Sequence, residues 1–262
     1  MKYPKMLEFA KETAKEAGNI LMQHFGNISS TQQKSTPIDL VTIADTDSET
    51  FILNKIRSTY PKHDIIAEES SYNQNGSEYR WVIDPLDGTT NYVHNIPIFA
   101  VSIGLQYKKE TIAAVVYNPA ADKCFWAEKN SGAFLNDEPI NTTSTNTLDD
   151  SLLVTGFPYI HDDRWEKCFE QFKDLYGRTQ GIRRLGAAAL DLCFVAMGRF
   201  DGFWEFGLQP WDVCAGALIL EEAGGKVSDW DDSPMPFSGK RVLATNGHIH
   251  REMMDVLGKD LF

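Results

Sequence analysis

Leu7, Ala10, Ala14, Ala17, Leu21 and Phe25 recur at spacings of three and four, which is one face of an amphipathic helix, and Gly26 stops it. A polar stretch from Asn27 to Ser35 follows and reads as a connection or a weak hairpin. The spacing predicts a second helix over Thr46–Tyr60, ended by Pro61, and then a short strand, Asp64–Ala67. A surface turn covers Asn73–Ser77, and a central strand runs from Tyr79 to Ile83. Runs rich in strand formers over Phe99–Tyr107, Thr111–Asn118, Lys123–Glu128 and Gly132–Leu135, separated by short turns, predict an antiparallel meander.

The Thr- and Asn-rich stretch Asn141–Asp150 breaks this pattern. Beyond it strand and helix alternate: Leu152–Thr155, a helix over Trp165–Tyr176, a helix over Gly186–Gly198, a strand over Gly202–Glu205 and a helix over Trp211–Gly224. The expectation is a mixed α/β chain, with an α+β half at 1–145 and an α/β half at 146–262, its sheets covered by helices. No repeat or low-complexity segment interrupts it.

The 262 residues are enough for a sizeable core, and a content of 42% hydrophobic and 24% charged residues excludes a disordered chain. The net charge of −12 disfavours direct nucleic-acid binding and would repel a bare phosphate ester unless cations neutralise the site locally. Cys124, Cys168, Cys193 and Cys214 form no CxxC pair, which suits reduced thiols and a cytoplasmic location. The amino terminus leads into an amphipathic segment, not an apolar h-region, and no run approaches a membrane span.

The chemistry concentrates where the apolar run Trp81-Val82-Ile83 meets Asp84-Pro85-Leu86-Asp87-Gly88-Thr89-Thr90. Two carboxylates, two hydroxyls and the Leu86 carbonyl are delivered to one small volume, an oxygen donor set of the kind hard divalent cations take. The alternative is a plain loop with two solvated aspartates. Glu68-Glu69-Ser70 also ends a strand, either as a solvated terminus or as a carboxylate pair awaiting a cation. Asp45 and Asp212 stand at helix starts, where each serves as a cap or as a site residue. His248-x-His250 reads as a surface loop near the carboxyl end, and Phe200–Phe206 as core.

These segments occur together. Pro37 through Asp45, Ala67-Glu68-Glu69-Ser70, Trp81 through Thr90, and Trp211-Asp212-Val213-Cys214-Ala215-Gly216 closed by Glu222-Ala223-Gly224-Gly225 resemble the inositol monophosphatase family, in the family's order and over nearly the whole chain. The resemblance implies a layered αβαβα sandwich of the sugar-phosphatase type and a phosphomonoesterase using two or three Mg²⁺ ions. It implies that Glu68, Asp84 and the Leu86 carbonyl hold a first metal ion, and that Asp84, Asp87 and Asp212 hold a second. Thr89 and Asp45 match the pair that orients the attacking water, with Glu68 also on the catalytic side. Lys34 matches a lysine on a loop over the site. Gly186, Ala187, Ala188 and Glu205 match positions that contact the alcohol, with Asp87, Gly88, Thr89 and Asp212 also facing substrate. Ala187 departs from relatives that carry a hydroxyl there, which removes one hydrogen bond to the substrate, about 1 kcal/mol net. Lithium sensitivity and a homodimer are implied on the same ground. Inositol monophosphate is the leading substrate, beside fructose 1,6-bisphosphate, a 3′-phosphonucleotide and NADP(H). A regulatory partner of transcription machinery is the non-enzymatic reading.

Overall fold

The computed structural model describes residues 2–27, 31–33, 40–70, 76–160 and 162–258; Lys34 and Pro37–Asp39 lie outside them. In chain order the elements are α1 (Pro4–His24), β1 (Thr31–Gln33), β2 (Leu40–Thr42), α2 (Ile43–Thr59), β3 (Asp64–Ala67), β4 (Tyr79–Asp87) and α3 (Thr89–Val93). The meander follows as β5 (Ala100–Tyr107), β6 (Glu110–Asn118), β7 (Lys123–Glu128), β8 (Ala133–Leu135) and β9 (Glu138–Ile140). The rest comprises β10 (Leu152–Thr155), α4 (Asp163–Tyr176), β11 (Gly181–Arg183), α5 (Ala188–Ala196), β12 (Gly202–Phe206), α6 (Pro210–Glu222), β13 (Lys226–Ser228), β14 (Arg241–Thr245) and α7 (His250–Leu257).

Two main sheets result. The larger has the order β3-β4-β5-β6-β7-β8-β9, parallel only at β3–β4. The smaller has the order β11-β10-β12-β14-β13, parallel among its first three strands and antiparallel beyond. Helices α1 and α2 cover the outer face of the large sheet, and Leu7, Leu21, Ile52, Trp81 and Ile83 fill that interface. Helices α5 and α6 lie between the sheets, where Val116, Phe125, Leu192, Phe203 and Leu220 share one core. Helices α4 and α7 close the far side around Trp204, Trp230 and Met253. The layering is therefore αβαβα. The sandwiched helices α5 and α6 carry apolar residues on every face along most of their length, as helices buried on both faces do, with Asp191 the buried acid of α5 and Asp212, Glu221 and Glu222 at the ends of α6.

Several boundaries move for physical reasons. Helix α2 starts at Ile43, three residues earlier than the pattern suggests, because Thr42 caps it and Asp45 reaches back to the Thr42 N–H. Strand β4 does not stop at Ile83. It continues through the acidic run to Asp87, with a register shift between Asp84 and Asp87 where Pro85 can give no ladder N–H. Helix α5 begins at Ala188, not Gly186, whose φ of +84° lies outside helical space. His250 is not in a surface loop: it opens α7, buried, with Nε2 and Nδ1 each 2.9 Å from the Ser228 and Thr245 hydroxyls, and burial pushes it down to about 4. His248 is exposed, so the two imidazoles share no site. Phe200, Phe203, Trp204 and Phe206 are core, as their pattern predicts.

Candidate active site

A cavity of about 740 Å³ opens where the carboxyl ends of β3 and β4 face those of β10, β11 and β12. Its lining includes Glu68, Asp84, Leu86, Asp87, Gly88, Thr89, Gly186, Ala187, Ala188, Glu205 and Asp212. Residues predicted from five separate segments thus meet in one volume. Asp45 stands just behind it, fully buried, and Lys34 lies outside the described residues.

The floor follows from strand register. Ala67 pairs with Ile83 at the last rung of the parallel β3–β4 ladder, so the next residues, Glu68 just past β3 and Asp84 still within β4, come out side by side. Burial, Glu68, Asp87 and Asp212 hold the Asp84 carboxyl well above the usual carboxylate range, and a hydrogen bond with Glu68 adds to the effect. Asp84 Oδ1 also accepts the Leu86 N–H at 2.9 Å, which tightens the bulge. The Thr89 hydroxyl lies 3.0 Å from Asp45 Oδ1 and 3.1 Å from the Leu86 carbonyl, so its single proton goes to one of them at a time. The other oxygen of Asp45 accepts the Thr42 N–H and hydroxyl at 2.8 and 2.6 Å. Asp45 is therefore both a capping residue of α2 and a partner of Thr89. Asp212 is used the same way at the start of α6, where its Oδ2 takes the Gln209 N–H at 2.7 Å.

Asp87, the last residue of β4, reaches across to α5. Its two oxygens accept the Ala188 and Ala189 N–H groups at 3.1 and 2.9 Å, which are open donors at the start of α5. Burial nevertheless pushes Asp87 up to about 7, with Glu68 adding and the α5 amides opposing. Ala187 stands at the helix cap with no side-chain bond, and the carboxylate at the end of β4 does that work. Gly88 is needed where the end of β4 meets its neighbours: its φ is +90°, and a Cβ there would sit 2.9 Å from the Ile98 carbonyl and 3.2 Å from the Ala187 Cβ.

The side wall holds residues that the sequence pattern does not single out. A Cβ at Gly156, just past β10, would stand 2.2 to 2.3 Å from the carboxylate atoms of Glu205, so that carboxylate lies against the Gly156 backbone. Burial, with Asp212 and Asp87, pushes Glu205 up to about 8, against the pull of Arg184. Gly156→Ala is expected to displace Glu205, raising KM for polyol phosphates about tenfold while kcat on a featureless aryl phosphate stays within about twofold. Steady-state kinetics on the two substrates checks this. Phe157, Tyr159, Arg164, Lys240 and Gln209 also line the cavity.

Among the described residues, no three His, Cys, Asp or Glu side chains close into a ready-made metal cluster. The carboxylates form an open set. Glu68 and Asp84 lie close enough to share a hydrogen bond, which requires a proton where two carboxylates would otherwise repel. An all-oxygen donor set held apart only by protons fits a hard divalent cation.

An αβαβα sandwich with a carboxylate-lined cavity between its sheets defines a layered α/β protein with an acidic, oxygen-donor site. The comparisons narrow the class. The inositol monophosphatase family model matches residues 2–261, and the chain belongs to that family. An inositol-1-monophosphatase of Synechocystis is 46% identical over 96% of this chain and 88% of its own length. Nus factor SuhB of Pseudomonas aeruginosa is 41% identical over 93% of this chain and 90% of its own. The structure of extragenic suppressor protein suhB from Bartonella henselae superposes with a TM-score of 0.93 at 38% identity, over 98% of this chain and 100% of that one. The protein is a phosphatase. No helix among its described residues is long and apolar enough to cross a membrane.

Proposed function

We propose that this phosphatase is a Mg²⁺-dependent phosphomonoesterase of small alcohol phosphates, with inositol monophosphate the leading substrate. The observation that carries the reading is the meeting of Glu68, Asp84, Asp87 and Asp212 in one cavity beside the Thr89–Asp45 hydrogen bond. Glu68, Asp84 and the Leu86 carbonyl would hold one ion, and Asp84, Asp87 and Asp212 a second, completed only when halves 1–145 and 146–262 come together. A third, weaker ion near Glu68 fits the same acidic end. Bound magnesium supplies neutralisation of the phosphate and acidification of a water.

The chain's own residues do the rest. Asp45, fixed by Thr42, accepts from the Thr89 hydroxyl, so the Thr89 oxygen keeps lone pairs free to orient a water at the phosphate. Positioning and charge neutralisation suffice for phosphoryl transfer, so the reading asks no protein nucleophile of the cavity. Gly186, Ala187 and Glu205 face the alcohol. Glu205, held protonated at neutral pH by burial, donates a hydrogen bond to a polyol oxygen. Lys34 is the proposed loop lysine, and inhibition by Li⁺, a cytoplasmic location and a homodimer complete the reading. A monomer by light scattering at micromolar concentration would remove the dimer.

Phosphate release from inositol 1-phosphate is expected with Mg²⁺ and not with EDTA. Release independent of divalent cation would overturn the proposal. The name of the Pseudomonas relative favours one further reading, a role in transcription complexes. A strain carrying Asp84→Asn, which keeps the bulge in β4, distinguishes the two, since a binding role survives that change and a catalytic one does not.

A further inference from the structure

The buried stripe of α2 changes character halfway along the helix. Its carboxyl half buries Ile52, Leu53 and Ile56 against α1 and β4, as an amphipathic helix does. Its amino half buries Asp45, Ser48 and Glu49 instead, the first two fully and Glu49 with 4% of its surface exposed. Spacings of three and four put these three side chains on one face. Burying polar groups is costly unless each finds a hydrogen-bond partner, so the partners show what the face does.

All three reach the two chain segments that carry the floor of the cavity. Asp45 Oδ1 takes the Thr89 hydroxyl at 3.0 Å, as described above. The Ser48 hydroxyl donates to the Pro85 carbonyl at 3.0 Å. Pro85 lies between Asp84 and Leu86, in the stretch where β4 slips against β5. Glu49 Oε2 accepts the Glu69 N–H at 2.8 Å, in the peptide that joins Glu68 to Glu69. The β3–β4 ladder has ended by then, at Ala67 and Ile83, so a side chain from the helix behind takes over where the sheet stops. Adjacent residues of one rigid helix therefore hold the backbone on either side of the carboxylate pair: Ser48 beside Asp84, Glu49 beside Glu68.

We infer that Glu49 is a positioning residue for the metal site: by holding the Glu69 N–H it fixes where the Glu68 carboxylate stands relative to Asp84, and so sets the affinity for the cation while touching neither cation nor substrate. Ser48 acts in the same way on the bulge that carries Asp84. Groups that orient metal ligands without touching the metal are worth about 10- to 100-fold in metal affinity. The role asks for an acceptor at Glu69, and a carboxylate or a carboxamide oxygen supplies one equally well. The inference rests on the proposed metal-dependent reading, in which Glu68 and Asp84 hold one ion together.

The test is calorimetric titration of the metal-free protein with Mg²⁺ alone, no substrate being present. Glu49→Leu, which removes the acceptor and keeps the bulk, is expected to weaken Mg²⁺ binding at least about tenfold. Glu49→Gln, which keeps an acceptor for the Glu69 N–H, is expected to stay within about threefold of the unaltered protein. The Mg²⁺ concentration for half-maximal phosphate release should rise in step for Glu49→Leu, with the KM for inositol 1-phosphate at saturating Mg²⁺ held within about twofold. Should Glu49→Leu fail to fold, Ser48→Ala removes only a hydroxyl and is expected to weaken Mg²⁺ binding about threefold or more. Unchanged Mg²⁺ affinity in a folded Glu49→Leu protein, or equal losses in Glu49→Leu and Glu49→Gln, would overturn the positioning role, the second result by making the charge of Glu49 the cause. An unaltered protein that binds no Mg²⁺ would instead overturn the reading on which the role rests.

Discussion

Asp84→Asn abolishes measurable turnover, by about a thousandfold or more, which is about 4 kcal/mol of transition-state stabilisation at 1.36 kcal/mol per tenfold. The size follows from position. Asp84 is the one carboxylate that the proposed assignment gives to both ions. Asparagine keeps its shape and can still accept the Leu86 N–H, so the bulge in β4 survives. A second readout separates lost chemistry from lost folding. Burial, Glu68, Asp87 and Asp212 all resist a charge on Asp84, so removing that charge stabilises the metal-free protein. The expected pair of results is no phosphate release and a higher metal-free Tm at neutral pH. Retained Mg²⁺-dependent turnover would remove Asp84 from the mechanism.

The second large effect is a reversal of pH dependence by metal. Asp84 is held well above its ordinary value, Asp87 at about 7 and Glu205 at about 8. In the unfolded chain these groups ionise near 4. Between pH 4 and about 8 the native protein therefore holds protons that the unfolded chain has released, and stability falls as pH rises. The favourable contribution is fully present below about pH 4 and lost by about pH 8. Across this window the metal-free Tm should drop by on the order of 10 °C, given a few kcal/mol and about 2–4 °C per kcal/mol at this size. Saturating Mg²⁺ replaces the protons, restores the Tm at pH 8 and is released by EDTA. Thermal melts with EDTA or Mg²⁺ across this range decide it. A metal-free Tm that rises with pH, or ignores Mg²⁺, would show that these carboxylates are not a metal cradle.

Much of this arrangement was legible before the fold was known, and the misses have causes. The helix face from Leu7 to Leu21 and the meander strands are long and strongly patterned, and they appear as expected. The strands β11 and β13 span three residues each, too few for alternation to register. The capping and site readings of Asp45 and Asp212 competed in the sequence because one carboxylate has two oxygens. In Asp45 each oxygen serves one role. Gly156 was invisible because its reason is a carboxylate 49 residues away, and no local rule carries that information. The same holds for Lys240, a lone cation until β14 pairs with β12 and brings it to the rim. Glu222, read as part of a family signature, accepts the Asn130, Ser131 and Gly132 N–H groups and pins the β7–β8 turn to α6.

The bonds from Asp87 to the first turn of α5 decide how the molecule moves. Many enzymes with a site between two lobes work as jaws, parting to admit substrate and closing to exclude water. Here the deepest point of the cleft is riveted: parting the sheets would strip a buried carboxylate of both amide partners and leave the end of a buried helix bare. Traffic must then pass over the rim, and turnover should be paced by the loops that line it, with the two sheets moving as one body.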